Sequence, residues 1–310
     1  MKIYRDIKEF QTLHKAVVTI GAFDGVHIGH KKILNRLTEL SSLVNGESVL
    51  ITFWPHPRFV LKKDAEPIGL LNTLEEKIHL LDTYKIDHLL ILNFNEEFAK
   101  LTADDFIENI LIKTIGTRYL VLGYDHRFGN NREGSIDYLN QHKDRFGIES
   151  IEIPKQEIDS LAISSTLIRK ALLNGDSTVA NQNLGYPYLL RGFVIEGNKL
   201  GRTIGFPTAN IFIEDQDKLI PKNGVYAVHV YIEGERYKGM LNIGVRPTIN
   251  NDKRRTIEVH IFDFNEDIYG KTVRLELHTF MRDEAKFEGL DALIQQLKKD
   301  EINSRALLLN

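Results

Sequence analysis

Two groups of residues in this chain have the types and spacing that chemistry on phosphate requires. The first is Gly21-Ala22-Phe23-Asp24-Gly25-Val26-His27-Ile28-Gly29-His30. The β-prone run Val17-Val18-Thr19-Ile20 leads into it, Asp24-Gly25 turns the chain, and helical periodicity begins near His30 with Ile33, Leu37, Leu40 and Val44. A glycine-containing turn from a strand into a helix leaves backbone N–H groups aimed at one spot, with the positive end of the helix dipole behind them. Such a place binds anions, most often phosphate. The spacing is neither the P-loop pattern nor GxGxxG. Instead His27 and His30 stand three apart, where two imidazoles share one side of the helix entrance.

The second group lies between Gly197 and Asn210, with Gly197, Gly201 and Gly205 four apart and then Thr208 and Asn210 at a strand start. Glycines let a backbone approach a phosphate closely, and Thr and Asn offer hard oxygen donors suited to Mg²⁺. Taken alone, a glycine-rich stretch is more often a turn. Glu258 sits on a strand whose alternation places it with His260 and Phe262, while Ile257, Val259 and Ile261 face the other way. A glutamate so placed is either a solvated strand residue or a base.

The elements that must hold these residues change character part-way along the chain. In the first part, nearly all-apolar strands (17–20, 49–54, 88–92, 119–122) alternate with helical segments, which predicts a parallel sheet with helices on both faces. Thr73-Leu74-Glu75-Glu76 and Thr102-Ala103-Asp104-Asp105 open helices, and Pro55-His56-Pro57-Arg58 predicts a non-helical segment at a strand end. Ile163-Ser164-Ser165-Thr166-Leu167-Ile168-Arg169 opens another helix, and an arginine placed in a first turn opposes the helix dipole and suggests a nearby anion. From about residue 180 the pattern becomes six short strands (190–195, 209–213, 225–232, 237–243, 256–262, 272–280), then one helix through Leu290, Leu293, Ile294 and Leu297. That predicts a small closed antiparallel barrel with a covering helix. The fold class expected is therefore α/β, with a doubly wound parallel-sheet domain over 1–182 and a β-barrel domain over 183–310.

Composition narrows the function. A net charge of −3 gives no basic field for wrapping nucleic acid, and no apolar run reaches a membrane span. Zero Cys removes thiolate catalysis and Cys-based zinc sites. The expectation is a cytoplasmic protein, monomeric or weakly self-associating, with no nucleic-acid or membrane partner.

The first string resembles the HxGH signature of the nucleotidylyltransferase superfamily, and in its GxFDGxHxGH form the FMN adenylyltransferases. Ser165, Thr166 and Arg169 fall in a segment similar to that family's ISSTxIR motif, and Pro55-His56-Pro57 resembles its TFxPHP segment. Gly201-Arg202-Thr203-Ile204-Gly205-Phe206-Pro207-Thr208-Ala209-Asn210 resembles the GRxxGFPTAN signature of riboflavin kinases. Asn242–Thr248, Gly224–Ala227 and Glu258–Phe264 follow in that family's order. The whole chain thus resembles the bifunctional prokaryotic riboflavin kinase/FMN adenylyltransferases.

That resemblance implies two Mg²⁺-ATP reactions, riboflavin to FMN and FMN to FAD, with ATP, riboflavin, FMN and FAD as substrates and products. It implies Glu258 as general base, His27 and His30 as catalytic phosphate-binding groups, and Thr208 and Asn210 as metal ligands. Gly21, Phe23, Asp24, Asp125, Ser165, Thr166, Arg169, Gly201, Arg202, Gly205 and Pro207 join them in nucleotide binding. Tyr124-Asp125-His126 departs from the family's usual Glu-Asp-Phe or Glu-Asn-Phe at its outer positions. Phe206, Tyr226 and Phe287 are open between flavin contact and core. Two rivals stand beside this reading: a transferase acting on another phosphate acceptor, and a flavin-binding sensor without turnover.

Overall fold

The computed structural model describes residues 1–61, 68–124, 126–154, 163–197, 200–247 and 253–309. They form two compact units, Met1–Ile68 with Leu74–Ser164, and Gly69–Thr73 with Ser165–Asn310.

The first unit is a sheet of β1 (Lys2–Tyr4), β2 (Ala16–Ile20), β3 (Glu47–Trp54), β4 (His88–Asn93), β5 (Thr117–Gly123) and β6 (Glu149–Ile153). All neighbours pair in parallel, in the order β1-β4-β3-β2-β5-β6. The helices α1 (Ile28–Leu43), α2 (Pro57–Leu61) and α3 (Leu74–Asp82) lie among the connections. Alternate strand residues serve two cores. Val17, Leu50, Leu89 and Val121 pack with Leu34, Leu37 and Leu40 of α1 and Leu81 of α3. Val18, Ile51, Leu90 and Leu120 pack with Phe106, Ile107 and Ile110. Burial on both faces is why these strands read as unbroken apolar runs. Strand order reverses between β2 and β5, so the loops after Ile20 and Gly123 leave adjacent strands at the switch point, where ligands of such sheets bind.

Two local expectations change. The first helix begins at Ile28 rather than near His30, because the His27 side chain caps it. The segment after Pro55 does not stay non-helical, since Pro57 opens α2. A proline's fixed φ and missing N–H suit the first helical position.

The second unit is a closed barrel of β7 (Tyr188–Ile195), β8 (Ala209–Phe212), β9 (Gly224–Ile232), β10 (Glu235–Pro247), β11 (Lys253–Ile261) and β12 (Thr272–Arg282), in the order β10-β11-β8-β7-β12-β9. Glu233 and Gly234, both at positive φ, make the two-residue turn that joins β9 to β10. Val228, Val230, Leu241, Val259, Leu275 and Leu277 are all but fully buried. The helix Leu290–Leu307 covers one side and is held by a two-pronged bond from Arg282 to Asp300, with Nη2 at 2.6 Å from Oδ2 and Nε at 3.0 Å from Oδ1.

The helices Ser165–Asn174 and Ser177–Leu184 pack with the barrel unit, so the contacts divide the chain at Ser164/Ser165 rather than at 182/183. Asn181 Nδ2 donates to the Leu277 carbonyl at 2.8 Å, and the Phe280 amide donates to Ser177 Oγ at 2.8 Å. An amphipathic helix between two domains does not reveal in its sequence which sheet receives its apolar face. A fragment of residues 163–310 is therefore expected to melt several degrees above one of residues 183–310, since one or two kcal/mol is that large for a domain of this size. Equal melting temperatures by circular dichroism would place the working boundary at 182/183.

Candidate active sites

The turn between β2 and α1 is tightly determined. Phe23, Gly25 and Val26 all have positive φ, which for Phe and Val is a strained state held only by surrounding structure. Phe23, Asp24 and His27 are buried, and the Gly21 amide donates to the Ile51 carbonyl at 3.0 Å. The His30 amide donates to His27 Nδ1 at 3.4 Å, which fixes His27 as the Nε2–H tautomer. The two imidazoles stack with centroids 3.7 Å apart and 15° between planes. Gly29 permits the stack, because a Cβ there would lie 3.1 Å from the His27 ring.

His30 Nδ1 is buried with no hydrogen-bond partner among the described residues. Burial, then the neighbouring His27 and Lys77, hold the His30 imidazole well below its usual pKa. Lys77, on α3 and almost wholly buried, donates from Nζ to the Ala22 carbonyl at 2.7 Å and sits 5.4 Å from the centre of the Trp54 ring. Burial lowers it to about 8, against a raising contribution from Asp24. A lone lysine on an amphipathic helix looks like a solvated charge in sequence, and nothing in its spacing announces this position.

Ser165 and Thr166 begin the helix Ser165–Asn174, which puts Arg169 in its second turn rather than its first; Arg169 Nε donates to the Gly69 carbonyl at 2.7 Å. The helix-dipole argument for a nearby anion at Arg169 therefore falls away. Asp125 and Thr248 lie outside the described residues, as do Asn198 and Lys199 of the glycine-rich stretch.

On the barrel, strand register assembles the second site. Asn210 of β8 pairs with Glu258 of β11, which pairs with Asn242 of β10. This row borders a cavity of about 320 Å³ beneath the helix Leu290–Leu307, with Phe206, Met240, Phe287 and Leu297 among its apolar walls. Tyr226 is instead a core residue whose hydroxyl donates to the Lys222 carbonyl. Arg202, Pro207 and Thr208 border a more open cleft of about 710 Å³ with Glu196 and Tyr269. Thr208 lines both spaces, while β11 lends Glu258 and His260 to the first and Val259 and Ile261 to the second.

The stretch expected as a glycine loop contains one helical turn, Leu200–Thr203. The Phe206 amide bonds back to the Gly201 carbonyl at 2.8 Å, and a Cβ at Gly201 would collide with the Phe206 carbonyl oxygen. Gly205 follows at φ 83°. His260 Nδ1 donates to the Pro207 carbonyl at 2.7 Å and ties this segment to β11. Asn242, His260, Arg282 and Asp300 become visible as site residues only through pairing across strands and helix.

A family model described as FAD synthetase matches residues 9–167, and one described as riboflavin kinase matches residues 184–308. The chain belongs to the bifunctional riboflavin kinase/FMN adenylyltransferase family. A protein of that name from Listeria monocytogenes is 39% identical over 94% of this chain and 91% of its own. One from Haemophilus influenzae is 40% identical over 96% of this chain and 95% of its own. A crystal structure from Streptococcus pneumoniae, titled a macrolide-efflux protein, matches with TM-score 0.86 and 34% identity over 98% of both chains. No helix among the described residues here is long and apolar enough to cross a membrane. In this bifunctional family's terms, the stacked histidines and Lys77 lie in the FAD synthetase match, and the Asn210-Glu258-Asn242 row lies in the riboflavin kinase match.

The buried His30 gives a pH dependence with a definite sign. Its folded pKa is below 6.5, so below that pH the unfolded chain binds the proton that the folded chain refuses. The contribution of neutral His30 to the stability of the N-terminal unit is fully present above pH 6.5 and is lost as pH falls from there toward the folded pKa. Urea unfolding across this range should show that loss in the parent and a flatter profile in His30→Asn.

Proposed function

We infer that this protein catalyses two ATP-dependent steps in series: phosphorylation of riboflavin to FMN on the barrel, and adenylylation of FMN to FAD at the His27–His30 turn. One observation supports the kinase step most directly. Glu258 is paired across the strands with Asn210 and Asn242 and borders a cavity that shares Thr208 as a lining residue with the open cleft. The enclosed, apolar-walled space suits the planar isoalloxazine ring, and the open polar cleft suits ATP.

In the first step the riboflavin 5′-hydroxyl oxygen attacks the γ-phosphorus, Glu258 takes the hydroxyl proton, and ADP leaves. In the second, an FMN phosphate oxygen attacks the α-phosphorus of ATP and pyrophosphate leaves. Neither step needs a protein nucleophile, so catalysis is positioning and charge stabilisation. At the turn, the α1 N-terminus, the His27 and His30 imidazoles and Lys77 supply those charges and donors. Gly21, Phe23 and Asp24 hold the turn in shape. Asp125, Ser165, Thr166 and Arg169 are proposed nucleotide contacts on their motifs alone, and so are Gly201, Arg202, Gly205 and Pro207 for the barrel.

These families use ATP with a divalent metal, and we propose Mg²⁺ held by Thr208 and Asn210. The donors fit: a hydroxyl and an amide oxygen are hard ligands, and Asn210 lies where a Cβ at Gly197 would press on its amide. Bound there, the ion offsets phosphate charge. The near-balanced charge and absence of cysteine support a cytoplasmic protein, monomeric or weakly self-associating, without a nucleic-acid partner.

Glu258→Gln keeps shape and most hydrogen bonding but removes basicity. Its kinase turnover should fall by ~10²–10⁴-fold, with FMN still converted to FAD at the parent rate. Chromatography of flavins after incubation with Mg-ATP reads both steps, and riboflavin phosphorylation within threefold of the parent would end the general-base role. The converse variant, His27→Asn with His30→Asn, should retain FMN formation and lose FAD formation. Lys77→Met should lower FAD formation by about 10–100-fold, the worth of one charge-assisted contact. If both reactions fell together in a folded variant, the division of labour would be wrong.

A further inference from the structure

We propose that His229, Glu276 and His278 form a binding site for a divalent transition-metal ion, Zn²⁺ by ligand type, that joins β9 to β12 on the outside of the barrel. One ligand atom from each lies within 4.8 Å of the others. None of the three borders the cavity at Glu258 or the cleft at Arg202, and no catalytic assignment above uses them.

The backbone looks built for this convergence. Glu276 pairs directly with His229, and the β9–β12 register then slips between Leu277 and Thr279. His278 therefore occupies a β-bulge, the device by which strands re-aim a side chain. Asn181 Nδ2 donates to the carbonyls of both Leu277 and His278, at 2.8 and 3.1 Å, and so clamps the bulge. The imidazoles of His229 and His278 meet edge to face with centroids 4.5 Å apart. His278 Nε2 stands 3.9 Å from Glu276 Oε2, and the Tyr231 hydroxyl donates to that oxygen at 3.1 Å. A hydrogen bond that orients a ligating carboxylate is the usual outer support of a metal site.

Two observations point to a ligand rather than to a packed core. His229 is only 3% exposed, and its Nε2 is a buried polar atom with no hydrogen-bond partner among the described residues. The same holds for Nε2 of His278. A buried polar atom without a partner loses its hydration for nothing, which native structures seldom tolerate. Two such nitrogens facing one carboxylate are satisfied together by one ion.

The surroundings set which ion. Burial first, then the neighbouring His278, Arg236 and Lys238, lowers His229, and burial with Arg236 lowers His278, so both imidazoles stay unprotonated at neutral pH; Arg274 of β12 acts on Glu276. Neutral imidazole is the form that ligates. The same cations weaken purely ionic binding of Mg²⁺ or Ca²⁺, leaving an ion that bonds well to nitrogen. Zn–N and Zn–O bonds of roughly 2.0–2.2 Å draw tetrahedral ligand atoms to about 3.4 Å apart. Rotation of the partly exposed Glu276 and His278 side chains supplies that closure, and water takes the fourth position.

The test titrates full-length protein, stripped with EDTA, with ZnCl₂ alone by calorimetry, and with CoCl₂ followed by visible absorption. The His27–His30 pair also presents imidazole, so the reading is the difference between the parent and His278→Gln. The parent should bind one more equivalent of Zn²⁺ than His278→Gln, show tetrahedral Co²⁺ bands that this variant lacks, and melt higher when Zn²⁺ is added. Glu276→Gln should weaken that equivalent by at least ~100-fold, and Asn181→Ala, which frees the bulge, by ~10-fold. Circular dichroism checks that each variant is folded, and both ligand variants alter partly exposed side chains. Equal Zn²⁺ stoichiometry and affinity in parent and folded His278→Gln, or no binding by the parent at about 1 mM Zn²⁺, would overturn the site. Loss of flavin turnover would leave it untouched.

Discussion

A polyphosphate can be held for in-line attack only if its charge meets donors fixed before it arrives, because donors that must reorganise give back the energy they supply. In both units the residues proposed to meet that constraint are held in place by turn and strand geometry. In the first, the strained Phe23–Val26 turn, the His27 cap and the Lys77 bond to the Ala22 carbonyl fix the entrance of α1. In the second, three paired strands hold Asn210, Glu258 and Asn242 in one row.

Holding charge ready carries a free-energy cost that the fold must offset. An almost wholly buried lysine and an imidazole with an unpartnered nitrogen destabilise the folded chain compared with their hydrated forms. The two apolar cores on either face of the sheet supply the offset, with Val17, Val18, Leu37, Leu50 and Ile51 fully buried. Perturbed groups of this kind gather at functional sites because an incoming anion relieves them. The stacked imidazoles fit that pattern: burial and the neighbouring His27 make protonation of His30 harder.

Beside the barrel cavity the buried charge is paired, with Asp300 held by Arg282. Closure of the barrel leaves alternate residues outside, and the helix Leu290–Leu307 roofs part of that outer face through Arg282 and Asp300. Glu258 thereby gains a half-enclosed setting without entering the core, which suits the general base proposed for the kinase step. His229, Glu276 and His278 share that outer face on strands away from Glu258, where the bulge at His278 interrupts an otherwise regular ladder.

Much of this was legible in the sequence because it depends on local rules. Four of the strands in the parallel sheet announced themselves as unbroken apolar runs, and the barrel strands as short alternating ones; the Gly21–His30 turn carried its own geometry in its glycines and histidines. The family likeness extended the reading to Glu258, Thr208 and Asn210. Tertiary structure decided what local rules leave open. A lysine's burial depends on what stands above its helix, so Lys77 looked like any solvated charge until Ala22 and Trp54 were placed against it. Asn242 became a neighbour of Glu258 through register across a gap of sixteen residues, which no periodicity encodes. The helices Ser165–Asn174 and Ser177–Leu184 have an apolar face in sequence, but only packing could choose the barrel as its partner. Sequence determines what each segment is able to be; contact between distant segments determines which groups lose their water, and that loss is what turns an ordinary histidine or lysine into part of a site.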